Sequence, residues 1–204
     1  MNIVNKSLDI DEAKLSQNEF GLWLGWTIAT AGGMLLGLLP FVLLLDKINL
    51  FLARIVIPLW AGLLIGILQL VVLRRYLTHQ LDWVLQGSGW AIGYALGLVV
   101  IQIFNETPFM VLVGYILFGI IVGLIQWPIM RREIPSVFPW VAASIAGWAL
   151  GAYLGQLALN LLAPEGPIIP AASMGVTSAI TGLVAGAITG LALIWIVRQP
   201  EISQ

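Results

Sequence analysis

Residues 62–75 read GLLIGILQLVVLRR, and residues 119–132 read GIIVGLIQWPIMRR. Gly62, Gly66, Gln69, Arg74 and Arg75 return as Gly119, Gly123, Gln126, Arg131 and Arg132. Most other matched positions exchange one apolar residue for another. On a helix, Gln69 shares a face with the glycines seven and three residues before it, because such offsets bring side chains round to the same side. Gln126 stands in the same relation to Gly119 and Gly123. Each stretch is a helix with one small-residue face and one amide, apolar elsewhere and closed by a cationic pair. That pattern fits a helix crossing a bilayer and leaving it at the arginines.

The rest of the chain agrees. Its 204 residues are 60% hydrophobic and only 9% charged, with a mean hydropathy of +0.99, whereas soluble domains carry about 25% charge. A water-soluble protein of this size cannot hide so much apolar surface, since its surface grows nearly as fast as its mass. The apolar runs predict six spans near 21–45, 53–73, 83–105, 110–130, 140–162 and 174–197, each close to the roughly 20 residues that cross a hydrocarbon core of about 30 Å. In lipid each must be helical, because unpaired backbone groups there cost several kcal/mol. Pro58 and Pro128 fall inside spans and predict local kinks. The polar stretch 1–20 reads as an N-terminal tail and 199–204 as a C-terminal tail. The first apolar run is too long for a signal-peptide core and reads as a retained anchor.

The expected fold is thus an all-α integral membrane protein of six transmembrane helices. They form three hairpins repeated in the same orientation, about 21–75, 83–132 and 140–198. Odd spans carry GWAIGYALG (89–97) and GWALGAYLG (147–155), with GWTIA (25–29) a weaker copy. Gly89, Gly93 and Gly97 lie four apart, as do Gly147, Gly151 and Gly155. Gly182, Gly186 and Gly190 do the same in the last span, where Leu193 replaces the expected Gln. Small residues at this spacing let helix backbones approach closely, and in lipid van der Waals contact is the main glue. They are expected to pack the six helices against one another, with docking to a partner subunit as the alternative. Gln69 and Gln126 are expected to be buried and to bond across helices.

Lys6, Lys14, Arg74, Arg75, Arg131, Arg132 and Arg198 fall on one face of this scheme, and only Lys47 and Arg54 on the other. Short positive loops stay cytoplasmic, so both termini are expected there. Trp83 and Trp140 follow the arginine pairs and are expected to anchor at the headgroup level. The pairs and Arg198 could also contact anionic lipid or an acidic partner, each juxtamembrane cation contributing about 1 kcal/mol near an anionic surface.

Catalytic chemistry is sparse. There is no cysteine, and His79, the one histidine, has only Asp82 nearby, so no metal site is expected. No span centre holds an acid, a base or a histidine, which weighs against a proton-coupled pump. No nucleophile–base pair or phosphate loop is found, and a net charge of −1 offers nothing to nucleic acid. No cofactor is expected, although nine tryptophans leave room for contact with pigment or lipid.

The motif Gly-x-x-x-Gly-x-x-Gln-x-x-x-x-Arg-Arg, followed by Trp83 and Val84 or by Trp140 and Val141, resembles a loose group of uncharacterised bacterial, chiefly cyanobacterial, multi-pass membrane proteins. The third copy departs from it by losing Gln and one Arg. The resemblance carries no activity; it implies a bacterial plasma membrane or thylakoid and makes association with a larger membrane complex plausible. The expected function is a non-enzymatic accessory, scaffold or assembly subunit among lipids and other membrane subunits. The alternative is a small-solute channel or transporter built around a pseudo-threefold axis, with Gln69 and Gln126 lining the path and Thr181 or Thr189 nearby.

Overall fold

The computed structural model describes residues 3–44, 50–76, 83–103, 107–130, 137–162 and 170–198. Seven helices account for nearly all of them: α1 (Ile3–Gly37), α2 (Leu39–Leu44), α3 (Leu50–Leu73), α4 (Trp83–Ile103), α5 (Pro108–Met130), α6 (Val137–Leu162) and α7 (Pro170–Val197). No strand occurs among the described residues. Five helices contain stretches long and apolar enough to cross a membrane: Asn18–Gly37, Val56–Leu73, Phe109–Pro128, Phe138–Leu162 and Ala172–Ile196. The protein is therefore a multi-pass, membrane-embedded helical protein. The corresponding stretch of α4, Ser88–Ile101, is shorter.

Local chemistry sets the helix ends. Proline opens α5 at Pro108 and α7 at Pro170, where its missing N–H has no intrahelical partner to lose. Thr107 caps α5, its hydroxyl accepting from the Met110 amide at 3.2 Å. The first apolar run differs from the uniform span expected at 21–45: it breaks at Leu38, between α1 and α2. Pro40 cannot donate to the carbonyl four residues back, and the Leu38 amide turns to the Leu35 carbonyl at 3.1 Å. At its other end α1 runs back to Ile3, through the stretch expected to be only a polar tail.

The long helices close into a ring in chain order. α1 packs on α3, α3 on α4, α4 on α5, α5 on α6, α6 on α7, and α7 returns to α1. Glycines make the joints. A Cβ on Gly33 or Gly37 of α1 would come within 3 Å of the α carbon of Ile65 or Ala61 in α3, and one on Gly151 of α6 would lie 2.7 Å from the Thr181 carbonyl oxygen in α7. These joints lie within hairpins. Between hairpins, a Cβ on Gly62 of α3 would lie 2.8 Å from the Ala91 α carbon in α4. The same atom on Gly119 of α5 would lie 2.6 Å from the Ile145 α carbon in α6, and on Gly186 of α7 2.9 Å from the Thr27 α carbon in α1. One position in each repeat thus docks onto the first helix of the next hairpin, and the third closes the circle.

Polarity does not distinguish inside from outside; size does. Leu24, Ile28 and Leu35 of α1 are exposed, while Trp26, Ala29 and Thr30 are buried. Large aliphatic side chains face lipid, which is as apolar as they are. Small ones allow helix contact, and a few aromatics fill the axis. The glycines at 66, 89, 93, 97, 123, 147, 155, 182 and 190 are buried as well, so their faces are spent inside this chain.

Candidate functional site

Six helices in a ring leave a hollow. With interaxial spacings of about 9 Å, each helix axis of a six-membered ring stands about 9 Å from the centre, so the middle is filled only where inward side chains are large enough to reach it. The residues fill one half of this axial column and leave a chamber in the other.

At the end where α3 terminates, the column is filled. Trp26 and Trp140 are both wholly buried and meet edge-on, with ring centroids 5.9 Å apart. Leu22, Leu70, Leu73, Leu193 and Ile196 pack around them. Four polar side chains fasten this plug. The Trp26 indole donates to Thr189 Oγ1 at 2.9 Å, and the Trp140 indole donates to Gln126 Oε1 at 3.1 Å. Gln69 Nε2 donates to Thr30 Oγ1 at 2.8 Å, and that hydroxyl donates on to the Trp26 carbonyl at 2.9 Å. Gln69 and Gln126 therefore lie in the bundle and bond across helices. Each keeps one amide atom, Gln69 Oε1 and Gln126 Nε2, without a partner, as does buried Ser144 Oγ. Trp140 does not sit at a surface as a headgroup anchor. It lies in the first turn of α6 but faces inward, held by Gln126 and meeting Trp26 edge-on. The side chains of Lys6, Lys14, Arg54 and Trp83, and residues Lys47, His79, Asp82, Arg131 and Arg132, lie outside the described residues.

Arg74 and Arg75 are exposed at the same end. Arg198 there is not a free cation: its guanidinium donates to both Glu19 oxygens, Nε at 2.7 Å. This ion pair links the last helix to the first across 179 residues. Its partners' side chains are 63% and 27% exposed, so water screens it and it adds little stability. Among the described residues no cluster of three His, Cys, Asp or Glu could hold a metal.

At the opposite end lies the chamber, about 320 Å³ in volume. Every long helix contributes: Met34 from α1, Pro58 from α3, Tyr94 from α4, Phe118 from α5, Trp148 from α6 and Thr181 from α7. Only the axis of a ring touches all its members. The floor is aromatic. Tyr94, Phe118 and Trp148 meet pairwise edge-to-face with centroids 5.0–5.8 Å apart, a geometry that adds about 0.5–1.5 kcal/mol per pair beyond burial. The Tyr94 hydroxyl donates to Met34 Sδ. One wall carries hydroxyls: Thr177 Oγ1 donates to the Ser173 carbonyl at 2.7 Å and Thr181 Oγ1 to the Gly151 carbonyl at 3.2 Å. Gln69 and Gln126 do not line this space. They sit beyond its floor, in the plug. Of the four polar residues expected along an axial path, Thr181 is at the chamber, and Thr189, Gln69 and Gln126 belong to the seal.

Sequence reasoning missed the chamber floor. Tyr94 and Phe118 carry no motif, and Trp148 stood only as part of a Gly-Trp repeat. For Trp148 alone the repeat offered a signal of burial, since Trp26, Trp90 and Trp148 are equivalent positions and all are buried; for Tyr94 and Phe118 the sequence offered none. No family model, no curated protein and no solved structure matches this chain.

Proposed function

We propose that the chain is a non-enzymatic membrane protein of six spans, in which three like-oriented hairpins surround a pseudo-threefold axis and a small solute is held on or passed along that axis. In this reading both termini and the arginine pairs face the cytoplasm of a bacterial cell, at its plasma membrane or thylakoid. The observation that carries it is the axial chamber of about 320 Å³ lined by all six long helices. Protein interiors are packed nearly as densely as organic crystals, and a space of this volume is on the scale of small-molecule sites. The solute side is the chamber, and the Trp26–Trp140 plug separates it from the arginine end.

Proteoliposomes assayed by stopped-flow light scattering test this with a panel of small neutral solutes. Wild-type protein should raise permeability to at least one of them. Thr177→Trp, which places a large ring in the chamber, should abolish the increment, and Trp140→Ala should enlarge it. Permeability equal to protein-free vesicles for both wild type and Trp140→Ala would overturn the proposal.

A second reading, an accessory or assembly subunit of a larger membrane complex, is favoured by Arg74 and Arg75, which stand exposed at the end of α3. The glycine faces no longer supply its docking surface, since they are occupied within the ring. Purification from native membranes in mild detergent discriminates. A partner lost on Arg74→Gln with Arg75→Gln supports the subunit role, and recovery of the chain alone removes it.

A further inference from the structure

The outer face of α6 breaks the rule that the rest of the ring obeys. Elsewhere in the apolar spans, the exposed positions among the described residues carry Leu, Ile, Val, Met, Phe or Trp, apart from Asn18, Pro128 and Ala172 at span ends. On α6 the exposed positions include Ala142, Ala146, Gln156 and Asn160. We infer that this face is an interaction surface, and that it seats the same face of a second copy of this chain about a twofold axis along the membrane normal. This surface is independent of what the chamber holds.

The amides point to it first. The span Phe138–Leu162 has 25 residues. At 1.5 Å per residue it is about 37 Å long and exceeds a hydrocarbon core of about 30 Å by about 4 Å at each end. Gln156 then stands about 5 Å inside the hydrocarbon, where lipid tails give it nothing to bond. Its Nε2 donates to Asn160 Oδ1, one turn on, at 3.1 Å. That bond leaves Gln156 Oε1 as an acceptor and three amide hydrogens as donors on the two side chains. Amides at such depth bond across helices. A set holding both donors and acceptors is complementary to itself. Two copies inserted in one orientation bring Gln156 to Gln156 at a single depth, through the same patch on each. An unlike partner would have to carry a matching amide at that depth.

Spacing supplies the rest. Ala142, Ala146, Ala149, Tyr153, Gln156 and Asn160 follow one another at intervals of four, three, four, three and four. All are exposed except Ala149, which is half-buried. Those intervals are the seam of a left-handed helix pair, and a polar residue at one seam position fixes register and the number of partners. The alanines let two backbones close, as small residues do at transmembrane joints. They are not spent inside this chain, because Gly147, Gly151 and Gly155 make the joint of α6 with α7. α6 is also the least buried of the five long apolar spans.

The full-length chain, labelled at its N-terminus with donor or acceptor fluorophores and mixed in vesicles at high lipid-to-protein ratio, provides the test. Energy transfer should exceed random proximity and fall as lipid is added. Gln156→Leu with Asn160→Leu should weaken association about tenfold, as expected for two interhelical amide bonds. Both positions are exposed, so the variant should be extracted in the same yield as wild type. Ala146→Trp, which holds the helices apart, should weaken association further. Ala146→Cys should cross-link to itself under mild oxidation, and Leu183→Cys, on the outer face of α7, should not. Random-proximity transfer in wild type, association unaltered by Gln156→Leu with Asn160→Leu, or cross-linking at 183 but not at 146 would overturn the inference. So would capture of a different chain, rather than a second copy, by Ala146→Cys in native membranes.

Discussion

Gly119 has room for a hydrogen and nothing larger: a Cβ there would stand 2.6 Å from the Ile145 α carbon and 2.9 Å from its nitrogen. Both are backbone atoms, so α5 and α6 must separate to admit it. Gly119→Ala should cost about 1–3 kcal/mol, the usual range for overpacking. Gly175→Ala is the control. Nothing lies within 4 Å of that position, and the better helix former should be neutral or gain about 0.5–1 kcal/mol. Reversible unfolding in mixed micelles measures both, and equal losses would refute the joint. The two buried amides differ as well. Gln126→Leu leaves the Trp140 indole N–H buried without an acceptor and should cost about 1–3 kcal/mol. Gln69→Leu leaves Thr30 still bonded to the Trp26 carbonyl and should cost less. The third repeat shows how the missing amide is replaced: Leu193 is buried in the plug, and Thr189, one turn earlier, takes the indole of Trp26 instead.

Among the elements, α1 shows most clearly that burial follows size. Leu24, Ile28 and Leu35 face outward, while Ala29, Gly33 and Gly37 face α3 or the interior. Tryptophan placed at 24, 28 or 35 should leave the yield of monodisperse protein close to wild type. At 29, 33 or 37 it should reduce that yield sharply, because the neighbouring backbone cannot move aside. Size-exclusion chromatography after detergent extraction reads the difference, and a flat profile along the helix would mean that α1 has no inner face. The breaks in these helices follow from prolines visible in the sequence. Pro40 separates α2 from α1, while Pro58 sits inside α3. That Pro58 lines the chamber is a fact of packing, and no local rule of helix chemistry contains it.

At the scale of the molecule, the contacts place Arg74, Arg75 and Arg198 at one end of the ring: Tyr76, one residue beyond Arg75, packs on Gly21, and Arg198 holds Glu19. The chain has no cysteine, so single substitutions report cleanly. Arg74→Cys and Arg198→Cys should react with a membrane-impermeant maleimide from the same side of sealed vesicles, and Ser173→Cys should not react from that side. Opposite reactivity of 74 and 198 would break the ring. Glu19→Gln should change stability little, since the ion pair is well solvated.

The sequence by itself determined the solvent, the helical state and the inner faces. Lipid requires every backbone group to be satisfied within a helix, and the helical period puts Gly62, Gly66 and Gln69 on one side whatever surrounds them. Those properties are local. The ring closure, the inward turn of Trp140 and the exclusion of both glutamines from the chamber came only from the tertiary structure. A chain apolar on all sides carries no amphipathic signal to tell a lipid-facing tryptophan from an axial one, so that choice is made by fit between side chains on different helices. The chamber is the extreme case: its floor joins Tyr94, Phe118 and Trp148 from three helices, and a hollow exists only once all six helices have closed around it.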